Sequence, residues 1–452
     1  MQTLSSGVSF GVLKFIDTNS LHLHQLNQQD ILITNDVPNN IDFVGGLITQ
    51  SFQTPLAHVN LLSQARGTPN LALPNASTLE TIQPLINQLV RFEVSIDGYD
   101  IRLATLEEAQ AFWDSQNIDK PILTPRLDLN IIELIDLTNA SFDDLPSVGA
   151  KAAQLAQLYQ VNSNESICAE VVHFNLPNQA FAIPMSFYYN HFINSGAATQ
   201  YSQLLLDENF ITDLAFKKQS LLDLQQLILE HPIDVNLLSI VNQWVESRYG
   251  NERVRFRSSS NTEDLSEFNG AGLYNSISGE LDNDKRPIDV AIKTVWSSLW
   301  NLRAYEEREF ANVDQSQIAM AVLVHEAFTN ETANGVAVAR NILDPTRGDQ
   351  FYINSQVGEA SVTNPAPSVI TEQLVYQFPP RSPNIRYQSN SSLIDEKVLS
   401  EDQVRTLACS LDAIQTHFSH VLNADDSQRW FTMEVEFKYL QSSDELLIKQ
   451  AR

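Results

Sequence analysis

Residues 254–274 read VRFRSSSNTEDLSEFNGAGLY, and this stretch decides how the rest of the chain is interpreted. It combines Arg255 and Arg257 with several hydroxyl side chains, acidic residues and two glycines, Gly270 and Gly272. Guanidinium groups bind phosphate oxygens through paired N–H donors, and glycines let the backbone approach an anionic ligand closely. The pattern therefore indicates a polyphosphate site; a polar surface loop that carries two arginines is the alternative.

Length and charge limit the classes of function. A chain of 452 residues exceeds what one hydrophobic core usually supports, so we expect two or three domains. The net charge of −27, from 28 Lys+Arg against 55 Asp+Glu, argues against a nucleic-acid or anionic-membrane surface. The sequence has no GxxxxGK[ST] motif, which excludes a P-loop. Any phosphate site must therefore be local.

Cysteine usage and hydropathy predict the compartment. The two cysteines, Cys168 and Cys409, are too few for a disulfide framework and suit a reducing cytoplasm. The N-terminus lacks a basic segment followed by an apolar core, and no apolar run reaches the roughly 18 residues of a membrane span. We therefore expect a soluble, cytoplasmic protein without membrane or nucleic-acid partners.

Hydrophobic periodicity divides the chain into two parts. Short alternating segments between residues 8 and 106 predict strands, and residues 56–65 predict a helix that ends at Gly67, with Pro69 just beyond. Residues 114–128 are polar and interrupted by proline, as in a linker. Residues 129–452 mix amphipathic helices with strands and divide near 330. The expected class is a multidomain protein with α/β and α+β parts.

The C-terminal strand pattern MEVEF carries a candidate metal site. Alternation along a strand places Glu434 and Glu436 on the same face, so both carboxylates could share Mg²⁺ with phosphate oxygens. A solvated acidic strand edge is the alternative interpretation.

The stretch FRSSSNTEDLSEFNGAGLY resembles the VRSSATAEDL…SFAGQY signature of the ATP-binding domain of phosphoenolpyruvate synthases and pyruvate phosphate dikinases. Further segments resemble that domain in the same order, namely GAKAAQL, AFAIPMSFYYNHF, SSLWNLRAYEER, VLVHEAF and MEVEFKY…LLIKQAR. The resemblance implies an ATP-grasp-like nucleotide-binding domain over residues 129–452, with ATP and Mg²⁺ as cofactors.

The same resemblance implies roles for individual residues. The phosphate contacts would be Lys151, Arg257, Arg303, Arg452 and a glycine lid that contains Gly270, Ala271 and Gly272. The adenine hinge would be the backbone of Glu326, Ala327 and Phe328, where the family usually has Gln and Met at the positions of His325 and Ala327. The metal ligands that the resemblance implies would be Glu436 and Gln450, in addition to the Glu434 suggested by strand alternation, and Gln450 would also contact the nucleotide.

His58 lies in GGLITQSFQTPLAHVNLLSQARGTPNLAL, which resembles the phosphohistidine swivelling domain of the same family. Gly67 and Pro69 follow the histidine at the family's spacing, whereas Gln64 replaces the family's arginine and Arg66 is the candidate substitute. An imidazole with a near-neutral pKa is a good nucleophile toward a phosphoryl group. The resemblance implies a mobile domain over residues 1–113 in which His58 is transiently phosphorylated.

Together these features predict an ATP-dependent, dikinase-like phosphotransferase that phosphorylates its own His58 and passes the phosphoryl group to an unidentified acceptor. The acceptor could be pyruvate-like, a glucan or another molecule, and the order of the two parts resembles that of glucan, water dikinases. Two alternatives stay open. The chain could be a catalytically weak or inactive nucleotide sensor or assembly module, or it could be one part of a split dikinase whose acceptor site lies on another chain.

Overall fold

The structure is a computed structural model of the 452-residue chain. It describes all residues except 25, 39, 40, 42, 117–120, 266, 267, 271, 345, 364, 367, 368, 379–382, 425–430, 442 and 443. The chain forms two compact units. The first contains residues 1–121 and 363–369, and the second contains residues 122–362 and 370–452.

A seven-stranded sheet forms the first unit. Its strands are β1 (Gln2–Ser5), β2 (Gly7–Ile16), β3 (Asp30–Thr34), β4 (Gly46–Thr49), β5 (Asn70–Ala72), β6 (Leu89–Ser95) and β7 (Gly98–Leu103). The spatial order is β1-β5-β4-β3-β2-β6-β7, with parallel pairing from β2 through β5 and antiparallel pairing at both edges. The segments that the sequence predicted as strands here are confirmed.

The centre of this sheet is buried on both faces. Ile31 and Ile33 of β3 pack into one apolar cluster, whereas Leu32 between them packs into the other. Successive side chains of a strand point to opposite faces, so the apolar run Ile31–Leu32–Ile33 suits a strand covered on both sides. The expected mixed α/β class is therefore found in this unit.

Two α-helices occur among the described residues of this unit, α1 (His58–Arg66) and α2 (Leu106–Gln116). Helix α1 ends at Gly67, which has a φ of 66° in the left-handed region and donates its backbone N–H to Gln64 and Ser63. This is the helix end that the glycine predicted. Helix α2 extends to Gln116, so residues 114–116 are helical although the sequence predicted them as linker, and the position at which the linker begins stays a prediction.

The second unit contains two main sheets. The first has the order β13-β10-β14-β9-β8 and is entirely antiparallel. Its strands are β8 (Ile135–Asp136), β9 (Phe181–Ile183), β10 (Val254–Ser260), β13 (Ser276–Gly279) and β14 (Met320–Glu326). A small hairpin between β10 and β13 comprises β11 (Asp264–Leu265) and β12 (Phe268–Asn269).

The second sheet follows in sequence after residue 330. Its order is β18-β17-β16-β15-β19-β20, again antiparallel. The strands are β15 (Glu331–Val338), β16 (Gln350–Val357), β17 (Glu372–Gln377), β18 (Asn384–Ser389), β19 (Glu434–Leu440) and β20 (Leu446–Ala451).

Nine further helices occur among the described residues of this unit. They are α3 (Leu145–Leu158), α4 (Met185–Asn194), α5 (Ala197–Leu204), α6 (Glu208–Thr212), α7 (Leu214–Glu230), α8 (Val235–Tyr249), α9 (Ile288–Ser297), α10 (Leu302–Phe310) and α11 (Glu401–Val421). Helices α4–α9 pack with the first sheet, and α11 packs with the second. Helix α3 contacts β10 and β14 of the first sheet and β20 of the second. It therefore lies where residues from both sheets meet.

No helix in the described part of the chain is long and apolar enough to cross a membrane.

Cys168 and Cys409 form a disulfide that joins the segment after α3 to helix α11, across 241 positions of sequence. The two cysteines therefore no longer support the predicted reducing compartment, and the cytoplasmic location stays a prediction. Sequence spacing could not reveal this pairing, because the two residues are brought together only by the packing of α11.

We expect reduction of this disulfide to destabilise the second unit. A bond that closes so long a loop restricts the unfolded chain, so its loss is expected to lower the free energy of unfolding by about 2–4 kcal/mol. The measurement is the urea midpoint of the second unit with and without dithiothreitol. Cys168→Ser is the control, because its midpoint should match that of the reduced protein and should not respond to the reductant. An oxidised protein that unfolds at the same midpoint as the reduced one would contradict the prediction.

Candidate nucleotide-binding site

A cavity of about 150 Å³ opens in the second unit where α3, β10, the segment after β12 and the last two strands meet. Both signs of charge line it, together with hydroxyl groups and one glycine. The lining residues are Lys151, Arg257, Ser258, Glu263, Gly272, Tyr274, Ser276, Glu436, Gln450 and Arg452. Six of the residues proposed from sequence are thus brought together around one space.

Lys151 reaches the cavity because helix α3 is interrupted at Gly149. Gly149 has a φ of 77° and a ψ of 171°, so the helical course restarts after it. Ser259 of β10 secures the break: its hydroxyl donates to the carbonyl of Val148 at 2.7 Å and accepts from the backbone N–H of Ala152 at 3.0 Å. The restarted helix begins beside β10, and Lys151 lies in its first turn.

Lys151 makes two described contacts inside the cavity. Its Nζ forms an ion pair with the carboxylate of Glu263 and donates to Oγ of Ser258 at 3.2 Å. The lysine side chain is only 13% exposed, so it is a largely desolvated cation held at the cavity wall. A helix N-terminus next to such a cation favours an anionic ligand.

The two arginines of the opening motif differ in position. Arg257 donates from Nη2 to Oε1 of Gln450 at 2.6 Å and lies 3.8 Å from Oε2 of Glu436. Arg255, two residues earlier on β10, donates to Oγ of Ser278 at 3.3 Å and is not among the cavity-lining residues. Burial, followed by repulsion from Arg257, lowers the pKa of Arg255. Of the two arginines, only Arg257 is placed to contact a ligand in the cavity.

The acidic residues of β19 also separate. Glu436 lines the cavity, lies directly across from Gln450 on β20 and pairs with Lys449 at 2.8 Å. Burial alone would raise the pKa of the Glu436 carboxyl, but Lys449, Arg257 and Arg452 together hold it well below its usual range. Glu436 is therefore an anion under ordinary conditions.

Glu434 is engaged elsewhere. Its carboxylate forms an ion pair with Arg452, and the two residues also exchange backbone hydrogen bonds of 2.7 and 2.9 Å. Glu434 is not among the residues that line the cavity, although Arg452 is. The structure therefore brings Glu436 and Gln450 to the cavity as oxygen donors, but not Glu434. Among the described residues, no three His, Cys, Asp or Glu side chains are grouped as metal ligands.

The glycine segment borders the cavity at one of its glycines. Gly272 lines the cavity and has a φ of 70°, a conformation that disfavours a side chain. Gly270 is buried and does not line it; its backbone N–H donates to the carbonyl of Glu263 at 3.0 Å. Ala271 lies outside the described residues, so its predicted contact stays a prediction.

Tyr274 anchors the end of this segment, a role that sequence reasoning missed. Its hydroxyl lies 3.0 Å from Oγ1 of Thr262 and accepts from Nη1 of Arg308 at 3.2 Å. Arg308 is completely buried and also donates to the carbonyl of Leu299. In the sequence, the tyrosine ends the GAGLY motif and the arginine lies five residues after Arg303. Nothing in the sequence indicates that these two residues contact each other, because the contact depends on the fold.

This arrangement of cations, a glycine turn and oxygen donors can be compared with known proteins. Residues 145–452 match the family described as pyruvate phosphate dikinase, AMP/ATP-binding domain. The chain belongs to this family. Its match covers more than half of the chain and includes every residue that lines the cavity.

A relative was also found among characterised proteins. The chain is 27% identical over 207 residues to the phosphoenolpyruvate synthase of Aeropyrum pernix. The alignment covers 44% of this chain and 23% of that protein. The chain thus spans about a quarter of the relative's length.

Two other predicted parts of this AMP/ATP-binding domain do not line the cavity. Arg303 lies half-buried in the first turn of α10. In the predicted adenine hinge, the backbone N–H of Ala327 donates to the carbonyl of Arg253 at 2.9 Å, and the carbonyl of Glu326 lies 2.6 Å from Nδ1 of His325. Phe328 stacks on His325 with ring centroids 5.5 Å apart. Two hinge groups therefore already have partners within the protein.

His325 is buried beside the arginines. Burial, followed by the charge of Arg257, lowers its pKa to about 3, so the ring is neutral near pH 7. Since a carbonyl oxygen can only accept, Nδ1 must carry the proton that it donates to Glu326. At the position of the family's usual glutamine, this chain thus has a histidine ring held by the backbone carbonyl of the next residue. The roles of Arg303 and of the hinge residues stay predictions.

In the first unit, His58 is the first residue of helix α1 and is partly exposed. Arg66 lies at the other end of the nine-residue helix, with its guanidinium 4.6 Å from the centre of the Phe43 ring. At about 1.5 Å of rise per residue, the backbones of these two residues are about 12 Å apart. Arg66 thus lies at the opposite end of the helix from His58, and its substitution for the arginine that is missing at Gln64 stays a prediction.

Proposed function

We propose that the protein is an ATP-dependent, dikinase-like phosphotransferase. The second unit would act as an ATP-grasp-like nucleotide-binding domain, and residues 1–113 as a swivelling domain that presents His58. The observation that carries the proposal is the cavity, because Lys151, Arg257 and Arg452 line it together with Gly272, Glu436 and Gln450 in a chain of the AMP/ATP-binding family.

The cavity suits the phosphate end of a nucleotide. Lys151 would contact phosphate oxygens as a point charge, and Arg257 would contact them through its planar fork. Positioning and charge neutralisation of this kind supply most of the catalysis in phosphoryl transfer. Arg303 and the hinge residues 326–328 would join the site only if they move toward the ligand.

The residues present fit Mg²⁺. Glu436 remains anionic and Gln450 offers a carbonyl oxygen across the strand pair, which are the hard oxygen donors that Mg²⁺ prefers. Glu436 and Gln450 would hold the ion, and phosphate oxygens and water would complete its shell. When bound, Mg²⁺ would neutralise phosphate charge. Glu434 would contribute only if its ion pair with Arg452 opened.

His58 is the proposed receiver. A neutral imidazole nitrogen would form an N–P bond while a bridging P–O bond of ATP breaks, and the departing oxygen would keep the electron pair. At the beginning of α1 the phosphorylated ring would be stabilised by the helix dipole. The second transfer would break the N–P bond toward an acceptor that this chain does not identify. The family precedent favours AMP as the nucleotide product, in which case His58 would receive both outer phosphates and the terminal one would be transferred to water as inorganic phosphate before the second transfer.

The test is to incubate the protein with β- or γ-labelled ATP and Mg²⁺ and to measure acid-labile, base-stable label on the protein. We expect label on the wild type, none on His58→Ala, and wild-type labelling of His420→Gln, which alters an exposed histidine at the end of α11. Release of AMP or ADP identifies the product. Nucleotide binding without any label would contradict the transferase and would favour the alternative below.

The alternative is a nucleotide sensor or assembly module. The observation that favours it is the position of Arg66, which lies over Phe43 at the far end of α1 and leaves Gln64 at the family's arginine position. A split dikinase predicts instead that label accumulates on His58 and is discharged only when a second protein is added.

A further inference from the structure

Lys449 is a cation of the nucleotide site to which the sequence reasoning gave no role. It precedes Gln450 on β20, and its Nζ lies 2.8 Å from Oε2 of Glu436, the carboxylate proposed to hold the metal. Arg257 approaches the same oxygen to 3.8 Å and also donates from Nη1 to the backbone carbonyl of Lys449 at 3.5 Å. Lys449 is not among the residues that line the cavity, but its ammonium group contacts a carboxylate that does.

Lys449 adds a positive charge to ion pairs that are otherwise matched one to one. Three such pairs occur among the described residues of the site, and they join Lys151 to Glu263, Arg452 to Glu434 and Arg257 to Glu436. Lys449 is a second cation on Glu436, so four cations share these three carboxylates. The lysine side chain is 29% exposed, and its charge is therefore only partly screened by water.

This charge acts with opposite sign on the two ligands of the proposed site. A divalent cation bound to Glu436 would share that carboxylate with the ammonium group, and the repulsion between the two cations would weaken its binding. A triphosphate beside Arg257 would be attracted by the same ammonium group. The complex of Mg²⁺ with ATP keeps a net negative charge, so it would be attracted as well, whereas the free ion would be repelled.

We propose that Lys449 is a specificity-determining residue that disfavours free divalent cations at Glu436 and favours the anionic nucleotide. Mg²⁺ would accordingly enter the site with ATP rather than before it. The proposal rests on the nucleotide site proposed above and deepens it, because it assigns to a cation next to the metal-binding carboxylate the role of rejecting the metal alone.

The test measures two probes separately. Mn²⁺ binding without nucleotide is followed by electron paramagnetic resonance of the free ion, and ATP binding without metal is followed by calorimetry in EDTA. In Lys449→Met we expect Mn²⁺ to bind about tenfold more tightly and metal-free ATP to bind about tenfold more weakly. A purely structural role would not produce opposite shifts, because local disorder weakens the binding of both probes.

Lys293→Met is the matched control. Lys293 pairs with Asp289 at 3.3 Å in the same unit and does not line the cavity, so both dissociation constants should equal those of the wild type. Lys449→Arg should also keep the wild-type constants, because it keeps the positive charge. Glu436→Gln in the Lys449→Met background should abolish the gain in Mn²⁺ affinity, because it removes the carboxylate that the metal would use.

Two outcomes overturn this inference alone. One is that the two shifts of Lys449→Met are absent or have the same direction, and the other is that the gain in Mn²⁺ affinity survives Glu436→Gln. Lys449→Gln takes the place of the methionine variant in both comparisons should that variant not fold. Failure of the wild type to bind ATP overturns the proposed function as well.

Discussion

Replacing Arg257 by glutamine is expected to weaken ATP binding by about 100-fold. Hydrogen bonds to charged groups contribute about 1.5–3 kcal/mol each, and the loss of a two-pronged contact with phosphate therefore corresponds to about 3 kcal/mol. The side chain is 11% exposed, so water cannot easily replace it. The measurement is the dissociation constant of ATP by calorimetry, with AMP titrated in parallel.

Arg255→Gln is the matched control for this prediction. Arg255 lies on the same face of the same strand, but it donates to Ser278 and does not line the cavity. Its replacement should change the dissociation constant less than about threefold. Arg257→Lys should lie between the two, because lysine restores the charge without the planar fork. Equal losses in Arg255→Gln and Arg257→Gln would show that the two arginines act only through the general field of the site.

The parts of the site that sequence predicted are those whose position follows from local geometry. A lysine two residues after a glycine at a helix start must lie in the first helical turn, as Lys151 does. Arginine in an alternating strand must face one side, as Arg257 does together with Arg255. Strand alternation likewise places Glu434 and Glu436 on one side of β19. The family membership that these motifs implied is confirmed.

The parts that sequence could not predict depend on contacts between distant segments. Strand alternation makes Glu434 and Glu436 equivalent candidates for a metal ligand. In the structure, however, Arg452 pairs with Glu434, whereas Glu436 lines the cavity. Arg303 matched its motif, although α10 does not bring it to the lining. The Cys168–Cys409 bond depends on how α11 packs. In each case the outcome depends on residues from another part of the fold, and these residues lie outside the motif that was used for the prediction.

Gly149→Ala is expected to be the most destabilising single substitution in the motif that carries Lys151. A Cβ at this position would lie 2.0 Å from the carbonyl oxygen of Ser259 and 2.3 Å from its carbonyl carbon. Both atoms belong to strand β10, where Ser259 is completely buried and pairs with Ala321 of β14, so this neighbour cannot easily move away. A φ of 77° adds backbone strain for any residue with a side chain. We expect a loss of about 4 kcal/mol in the free energy of unfolding.

Gly196→Ala separates the two causes. Gly196 also has a left-handed φ, 81°, but no atom lies within 4 Å of its added Cβ, so only the backbone strain of about 1 kcal/mol should appear. The measurement is the urea midpoint of the second unit for both variants, followed by ATP titration of the folded fraction. If α3 and β10 separate to admit the methyl group, Lys151 moves away from Ser258 and the affinity for ATP falls together with stability, whereas Gly196→Ala should leave that affinity unchanged. Similar losses of stability in the two variants would contradict the close approach of α3 to Ser259. Because the close approach of α3 to Ser259 places Lys151 beside β10, Gly149→Ala should lower both the free energy of unfolding and the affinity for phosphate.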